Sequence, residues 1–407
     1  MEDHGDDDRL VRVVPLQAVL LADSFTLTFR PASSTVPKVL CPLNNVALLD
    51  YAIEWLASNK VEELFVFCSS TTQHSQLISE HVQKYVNDVN IKVTTISDSS
   101  INNPGDALRE LHKKDVVKSD PFILMSGDII TNADLKPAIE NHKKRAKKDA
   151  NNIMTVILKE NPPSSPLNPP NSDLMVGLNP STSQLTLFEP SHLQSPTVPL
   201  PISFVLSHPS TQLRCDLTSP GLYVCSPEVL AKFSDEFDYR SIPKQFIHNL
   251  VAEEESGLQT PIHGHILPPS TFAVHIHSFS TYHYASHLLR LRWAYPIAPD
   301  NTPHCGLRGK YARKEGYRYD EVGRGHTIDR GSSVVGDSIV GGGCVVGRRC
   351  HVKDTVVGED VVIGDGATVV DSHLWAGAVV GPGAKVEGAV ICGRAKIGEG
   401  CVVERGE

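Results

Sequence analysis

From Val335 to Val403 aliphatic residues recur at steps of five, six and six, so that three ladders run in parallel, each with a period of seventeen residues. Val340, Val357, Leu374 and Ile391 form one, Val346, Ile363, Val380 and Ile397 the second, and Val335, Val352, Val369, Val386 and Val403 the third. Three interleaved ladders with one period predict a three-sided coil. Each side is a short strand, each aliphatic residue stacks on its equivalent one coil earlier, and successive coils rise by about 4.8 Å, the spacing of neighbouring strands. Such a coil contacts only its neighbours, which makes the segment a quasi-one-dimensional domain. Glycines after the aliphatic residue, at 341, 347, 358, 364, 381 and 398, are expected to form the corners. Small residues two places before it, including Cys344, Cys350, Ala367, Ala378, Ala384, Ala395 and Cys401, are expected to pack inside.

The chain upstream has a different rhythm. From Val13 to about Glu160 short apolar runs alternate with helical periodicity, the pattern of a parallel sheet covered by helices on both faces. Leu16–Leu21, Glu63–Cys68, Lys92–Ile96, Phe122–Met125 and Met154–Lys159 predict strands; the intervals near 45–59, 72–86, 105–117 and 134–149 predict helices. In the first helix Val46, Leu49, Ile53 and Leu56 line one face, with Asn44 or Asn45 as cap. Open α/β sheets carry their ligand crevice at the carboxyl ends of the strands, and Lys38 and Asp128 fall there.

A loop that cradles a triphosphate needs glycines, because its backbone N–H groups must approach the phosphates more closely than a Cβ allows. The turn after Val19-Leu20-Leu21-Ala22 is instead Asp23-Ser24-Phe25-Thr26-Leu27-Thr28-Phe29, without a glycine and with a carboxylate at the strand end. Asp23, Lys38 and Asp128 therefore read as a degenerate nucleotide pocket, with no catalytic residue, cofactor or metal expected. Asp128 could hold Mg²⁺ against phosphates or merely cap the turn after its strand.

From Asn161 to Pro209 the composition shifts to Pro, Ser, Asn and Thr, which predicts edge hairpins and long loops. Pro227–Phe233 and Leu288–Trp293 read as helices. The expected domains are an acidic leader at 1–12, an α/β domain at 13–299, a linker at 300–325 and the coil at 326–407. A net charge of −9 without a basic stripe disfavours nucleic acid as a partner. The absence of a basic leader with an apolar core, and of any apolar run of eighteen residues, predicts neither secretion nor membrane insertion. Nine cysteines without paired spacing suit a reducing cytosol, and Cys68, Cys215 and Cys225 are expected to be buried in strands. His263 with His265 and His275 with His277 could each share a strand face, and a metal would need His283 or His287 as third ligand; polar alternation on a half-exposed strand gives the same pattern.

The coil resembles the left-handed parallel β-helix of hexapeptide-repeat proteins, and its handedness comes from that resemblance. Many such proteins are acyltransferases with a histidine and an inserted loop; His351 and His373 are present, but nothing interrupts the coils, so an assembly surface is expected instead. A nucleotidyltransferase-like domain followed by this β-helix resembles the sugar-nucleotide pyrophosphorylases and their relatives. Residues 15–25 (PLQAVLLADSF) and 42–51 (PLNNVALLDY), Gly105-Asp106-Ala107-Leu108-Arg109, Gly127-Asp128-Ile129-Ile130-Thr131-Asn132, Ile262-His263-Gly264-His265 and Arg292-Trp293-Ala294-Tyr295-Pro296 resemble the epsilon-subunit family of eukaryotic translation initiation factor 2B, the gamma subunit matching less well.

The resemblance implies a cytosolic subunit of the guanine nucleotide exchange factor for GDP-bound initiation factor 2, partnered by a gamma subunit and the other subunits of a heteromeric complex. It further implies a contact to the substrate factor through an Asn-Phe motif. The matching segment is Asp235-Glu236-Phe237-Asp238-Tyr239, so Phe237 fits while Glu236 departs from the asparagine, and Glu236, Phe237 and Asp238 are the expected partner-binding residues. The family's helical-repeat exchange domain lies beyond its β-helix and is not found in this sequence, which reads as a fragment or as a scaffold. The rival reading is an active sugar-1-phosphate nucleotidyltransferase using Lys38, Asp128 and Mg²⁺.

Overall fold

The computed structural model describes residues 14–22, 28–69, 74–83, 91–99, 101–161, 165–167, 174–190, 200, 202–253, 260–299, 311–314, 316–320 and 325–404. The acidic leader and Asp23 lie outside the described residues.

The first domain opens with β1 (Gln17–Leu21), the short pair β2 (Pro42–Leu43) and β3 (Val46–Ala47), and α1 (Leu48–Ser58). It continues with β4 (Glu63–Ser69), α2 (His74–Gln83), β5 (Lys92–Asp98), α3 (Pro104–Lys114), β6 (Phe122–Ser126), β7 (Ile129–Thr131), α4 (Lys136–Lys148) and β8 (Met154–Glu160). The Pro- and Ser-rich region supplies β9 (Leu174–Leu178), β10 (Leu185–Pro190) and α5 (Ile202–Ser207). Then come β11 (Gln212–Arg214), β12 (Leu217–Thr218), β13 (Leu222–Cys225), α6 (Glu228–Asp235), α7 (His248–Glu253), β14 (Ile262–Ile266), β15 (Ala273–His275) and α8 (Phe279–Arg290).

The central sheet runs β12-β8-β13-β6-β1-β4-β5, with β14 added parallel to β8. Its half from β6 to β5 is parallel, as the alternating pattern predicts. The other half is mixed, because β13 inserts antiparallel between β6 and β8. Apolar runs such as Ala18–Leu21 and Ile123–Met125 are buried on both faces, which is what helices on both sides require.

The two asparagines expected to cap α1 do something else. Asn44 and Asn45 adopt φ of 53° and 64° and form the two-residue turn between β2 and β3, the left-handed pair that such hairpins favour. Ala47 takes the cap position without a side-chain bond. The last helix, α8, lies nine residues earlier than the expected Leu288 start, because Ser278 caps it by accepting from the Thr281 N–H. The stretch read as a linker holds a hairpin, β16 (Tyr311–Lys314) and β17 (Tyr317–Asp320), whose second strand pairs with the coil.

The coil itself has three parallel faces of stacked strands. Val340, Val357, Leu374 and Ile391 point inward on one, and Val346, Ile363 and Val380 on the second. On the third face Val334, not Val335, opposes Val352, so the first coil is one residue longer than the ruler and the ladder enters one position earlier. The glycines behave differently from the expectation as well. Left-handed φ occurs at Gly343, Gly366, Gly377 and Gly383. Gly364 instead stacks so closely that an added Cβ would stand 2.6 Å from the Pro382 nitrogen. Cys344 and Cys350 are interior, as expected, whereas Cys401 in the last described coil and Cys215 in the first domain are exposed.

The two domains meet along α8. Asn45 donates to the Val357 carbonyl at 2.8 Å, the Trp375 indole to the Tyr282 hydroxyl at 3.1 Å, and His283 pairs with Asp371 at 2.9 Å. A turn asparagine, a helix face and one side of the coil thereby form a polar seam around a buried Trp375.

Candidate functional site

The crevice at the strand ends is built around Asp128, which follows β6 by two residues. Its approach is set by Gly127, whose N–H donates to the Leu21 carbonyl at 2.8 Å and whose Cα leaves no room for a side chain against Val39 and Leu20. Lys38, from a short turn 90 residues away, places Nζ 2.6 Å from Asp128 Oδ2, and both side chains are 2% exposed. The other carboxylate oxygen receives the Ser126 hydroxyl at 2.5 Å and His275 Nε2 at 2.9 Å. His275 arrives on β15, which pairs antiparallel with β7 and sets His275 opposite Ile129. Burial alone would raise the Asp128 pKa, but His275 and Lys38 outweigh it and hold the carboxyl well below the usual carboxylate range.

Phe29 closes the site. Its ring lies 5.0 Å from the Lys38 ammonium and stacks on Phe279 at 4.5 Å between centroids. The structure thus brings Lys38 and Asp128 together, as the sequence suggested, but as a charge pair roofed by an aromatic ring. Lys38 and Asp128 neutralise each other's charge, so a phosphate or a cation would have to compete with the pair for either group. His277, beside it, is pushed down to about 4 by burial. A cavity of about 150 Å³ adjoins both histidines, with Leu174, Phe188, Pro190 and Thr218 among its walls.

The second candidate region is the turn after α6. Glu236, Phe237 and Asp238 are all exposed, Phe237 at 76%, while Phe233 and Tyr239 on either side are buried. The turn is fastened to α3. Arg109 Nη1 donates to the carbonyls of Phe233, Glu236 and Tyr239 at 3.1, 3.4 and 3.2 Å. Its Nη2 is held by Asp106 at 2.8 Å, and its guanidinium carbon lies 5.7 Å from the centre of the Phe237 ring. Gly105, one helical turn before Arg109, lets the Tyr239 carbonyl approach to where a Cβ would stand only 1.9 Å away. Sequence reasoning found Gly105–Arg109 and Phe237 separately. Nothing in the order of residues joins segments this far apart, although the four-residue spacing of Gly105 and Arg109 does place them on one helix face.

The histidines do not converge. Among the described residues no group of three or more His, Cys, Asp or Glu side chains could hold a metal ion. His263 bonds the Asn152 side chain at 2.7 Å and is lowered to about 4 by burial. His283 belongs to the seam with Asp371. His351 is exposed on one face of the coil, whereas His373 is buried on another between Tyr282 and His283, so the two do not share a site. No helix among the described residues is long and apolar enough to cross a membrane.

Comparison with known proteins bears on both domains. Residues 17–165 match the nucleotidyl transferase family and residues 313–407 the left-handed β-helix domain of eIF2B subunit epsilon. Along 82% of its length the chain is 33% identical to a translation initiation factor eIF2B subunit epsilon of Dictyostelium discoideum. Along 75% it is 31% identical to the epsilon subunit of Schizosaccharomyces pombe. A putative mannose-1-phosphate guanyltransferase of Sulfolobus acidocaldarius is 29% identical over 36% of the chain. The chain spans 45% and 44% of the two epsilon subunits and 38% of the guanyltransferase, less than half of each.

Proposed function

As the chain belongs to the family of eIF2B epsilon subunits, we propose that it works as a cytosolic, non-catalytic part of the nucleotide exchange factor for translation initiation factor 2. In this reading it is joined to a gamma subunit and the other subunits of the complex, and it holds the GDP-bound substrate factor through the turn of Glu236, Phe237 and Asp238. The observation that carries the reading is a large aromatic ring kept 76% exposed on a turn whose backbone is tied down. Exposed, rigid aromatics are the usual anchors of protein interfaces, and the flanking carboxylates suit a basic partner surface. Exchange itself is assigned to the whole factor.

The Lys38–Asp128–His275 knot supports the non-catalytic half of the proposal. A pyrophosphorylase must free a carboxylate for Mg²⁺ and present donors to a triphosphate. Here the carboxylate is engaged by Lys38 and His275, and the sequence that follows the first strand from Asp23 to Phe29 contains no glycine. Phe237→Ala is expected to weaken binding of the GDP-bound factor about tenfold or more, with the thermal midpoint unchanged. Equal affinities of wild type and variant in an equilibrium pull-down would refute the anchor.

A second reading rests on one specific observation, that a lysine and an aspartate persist at the strand ends of a domain matching the nucleotidyl transferases. Pyrophosphate release from nucleoside triphosphates and a series of sugar 1-phosphates tests it. Turnover that disappears in Asp128→Asn would establish an enzyme.

A further inference from the structure

We propose that Arg109 is the positioning residue of the Phe237 turn: it preorganises the partner-binding anchor from beneath without itself meeting the partner. The proposal rests on the reading of Phe237 as an anchor and adds the device that makes it one. Arg109 is 8% exposed, so its guanidinium is withdrawn from solvent. One nitrogen gathers three carbonyls of the segment 233–239, and the other is fixed by Asp106. Asp106 is itself held at the start of α3, where its backbone N–H donates to the Asn103 cap at 3.0 Å and its carboxylate accepts from Asn103 Nδ2 at 2.8 Å. A planar fork oriented in this way faces the Phe237 ring at 5.7 Å.

The chemistry explains why an exposed ring stays in place. A free turn ending in Phe237 would lose rotamer and backbone freedom on binding, which opposes association. Gathering three carbonyls onto one cation removes much of that freedom before the partner arrives. The cation–π contact further favours the outward rotamer. Lysine cannot replace the fork, since a single ammonium on a flexible stem cannot hold the three carbonyls and Asp106 at once and has no plane to stack on a ring.

The test is a double-mutant cycle on the whole chain, with purified GDP-bound initiation factor 2 as probe. Arg109→Lys keeps the stem and the charge, so it is the variant of choice, and circular dichroism melting verifies that it folds. The expected result is an approximately tenfold loss of affinity in Arg109→Lys, and no additional loss when it is combined with Phe237→Ala. Gly105→Ala, which pushes the Tyr239 carbonyl off α3, should reproduce the loss. Wild-type affinity in Arg109→Lys beside weak binding in Phe237→Ala overturns this proposal and leaves the anchor standing. Additive losses in the double variant also overturn it, because they assign Arg109 a contact or a stability role of its own. Wild-type affinity in Phe237→Ala overturns the anchor reading and this one with it.

Discussion

Inside the coil the ladder side chains are Val357, Ile363, Val369 and their stacked equivalents, each meeting its own kind one turn away; inside the first domain a buried lysine and a half-buried histidine both converge on one buried aspartate. The coil repeats one local interaction, so its stability is nearly a sum of neighbour terms and an error in one coil stays local. The first domain closes a single knot from Lys38, Asp128 and His275, and no partner of that knot has a spare. Removing Lys38 or Asp128 leaves the other's buried charge without its counter-ion. Repetition tolerates change at its outer surface, whereas the knot tolerates change only when its two opposite charges are removed together.

The contrast can be broken most forcefully at Asp128. Asp128→Ala should destabilise the first domain by about 4 kcal/mol, since Lys38 is left charged and buried. Hydrogen exchange at the amides of β1 and β6 measures this, and Lys38→Met combined with Asp128→Leu should restore most of it. Next in size is Gly364→Ala, where the new Cβ meets the next coil's backbone at Pro382. A cost of about 3 kcal/mol is expected, read by urea denaturation, with exchange in β1 unchanged.

Acid should separate the regions by a smaller amount. His142, bonded to Thr155 and Ser226, is lowered to about 4 by burial, as are His263 and His277. Below the ordinary histidine value of about 6.5 the unfolded chain takes up protons that the folded domain refuses, so stability falls from there towards pH 4. At pH 5 one such group costs about 2 kcal/mol at most, and His142→Gln should flatten the profile accordingly. Asp128 acts in the same direction but at lower pH. Its lowered pKa stabilises the fold above the ordinary carboxylate range, and that contribution is lost only as pH falls through the depressed value. The stacked ladders of the coil are aliphatic, and its buried His373 faces the α8 seam, so exchange on the two faces away from that seam should respond little between pH 7 and 5. The smallest effect expected is Val345→Thr, on the outer face beside the interior Val346, at under about 0.5 kcal/mol by urea denaturation.

Legibility followed the same division. The coil could be read from its period because each residue's neighbour lies seventeen positions on; its ladder slipped, Val334 for Val335, where the first coil takes an extra residue, and the corner glycines and Cys401 were misplaced because the period does not say which positions turn left-handed or where the stack is left uncovered. The strands and helices of the first half of the α/β domain were equally legible from local patterns. What escaped were long-range closures. His275 looked like half of a ligand pair because alternation on a strand says which residues share a face, not what that face meets. Asn44 and Asn45 looked like caps because a left-handed turn and a cap favour the same residue types. Arg109 looked like part of a helix, since the carbonyls that it gathers come from the other end of the domain.

The central claim is that this chain acts through protein contacts, with its nucleotide crevice closed on itself. The most direct measurement is to tag the chain in its own cells, purify it gently and identify its companions by mass spectrometry. The account predicts a gamma-type subunit together with translation initiation factor 2, and loss of the latter in Phe237→Ala. Recovery of the chain alone as a homo-oligomer that releases pyrophosphate from a nucleoside triphosphate and a sugar 1-phosphate would contradict it.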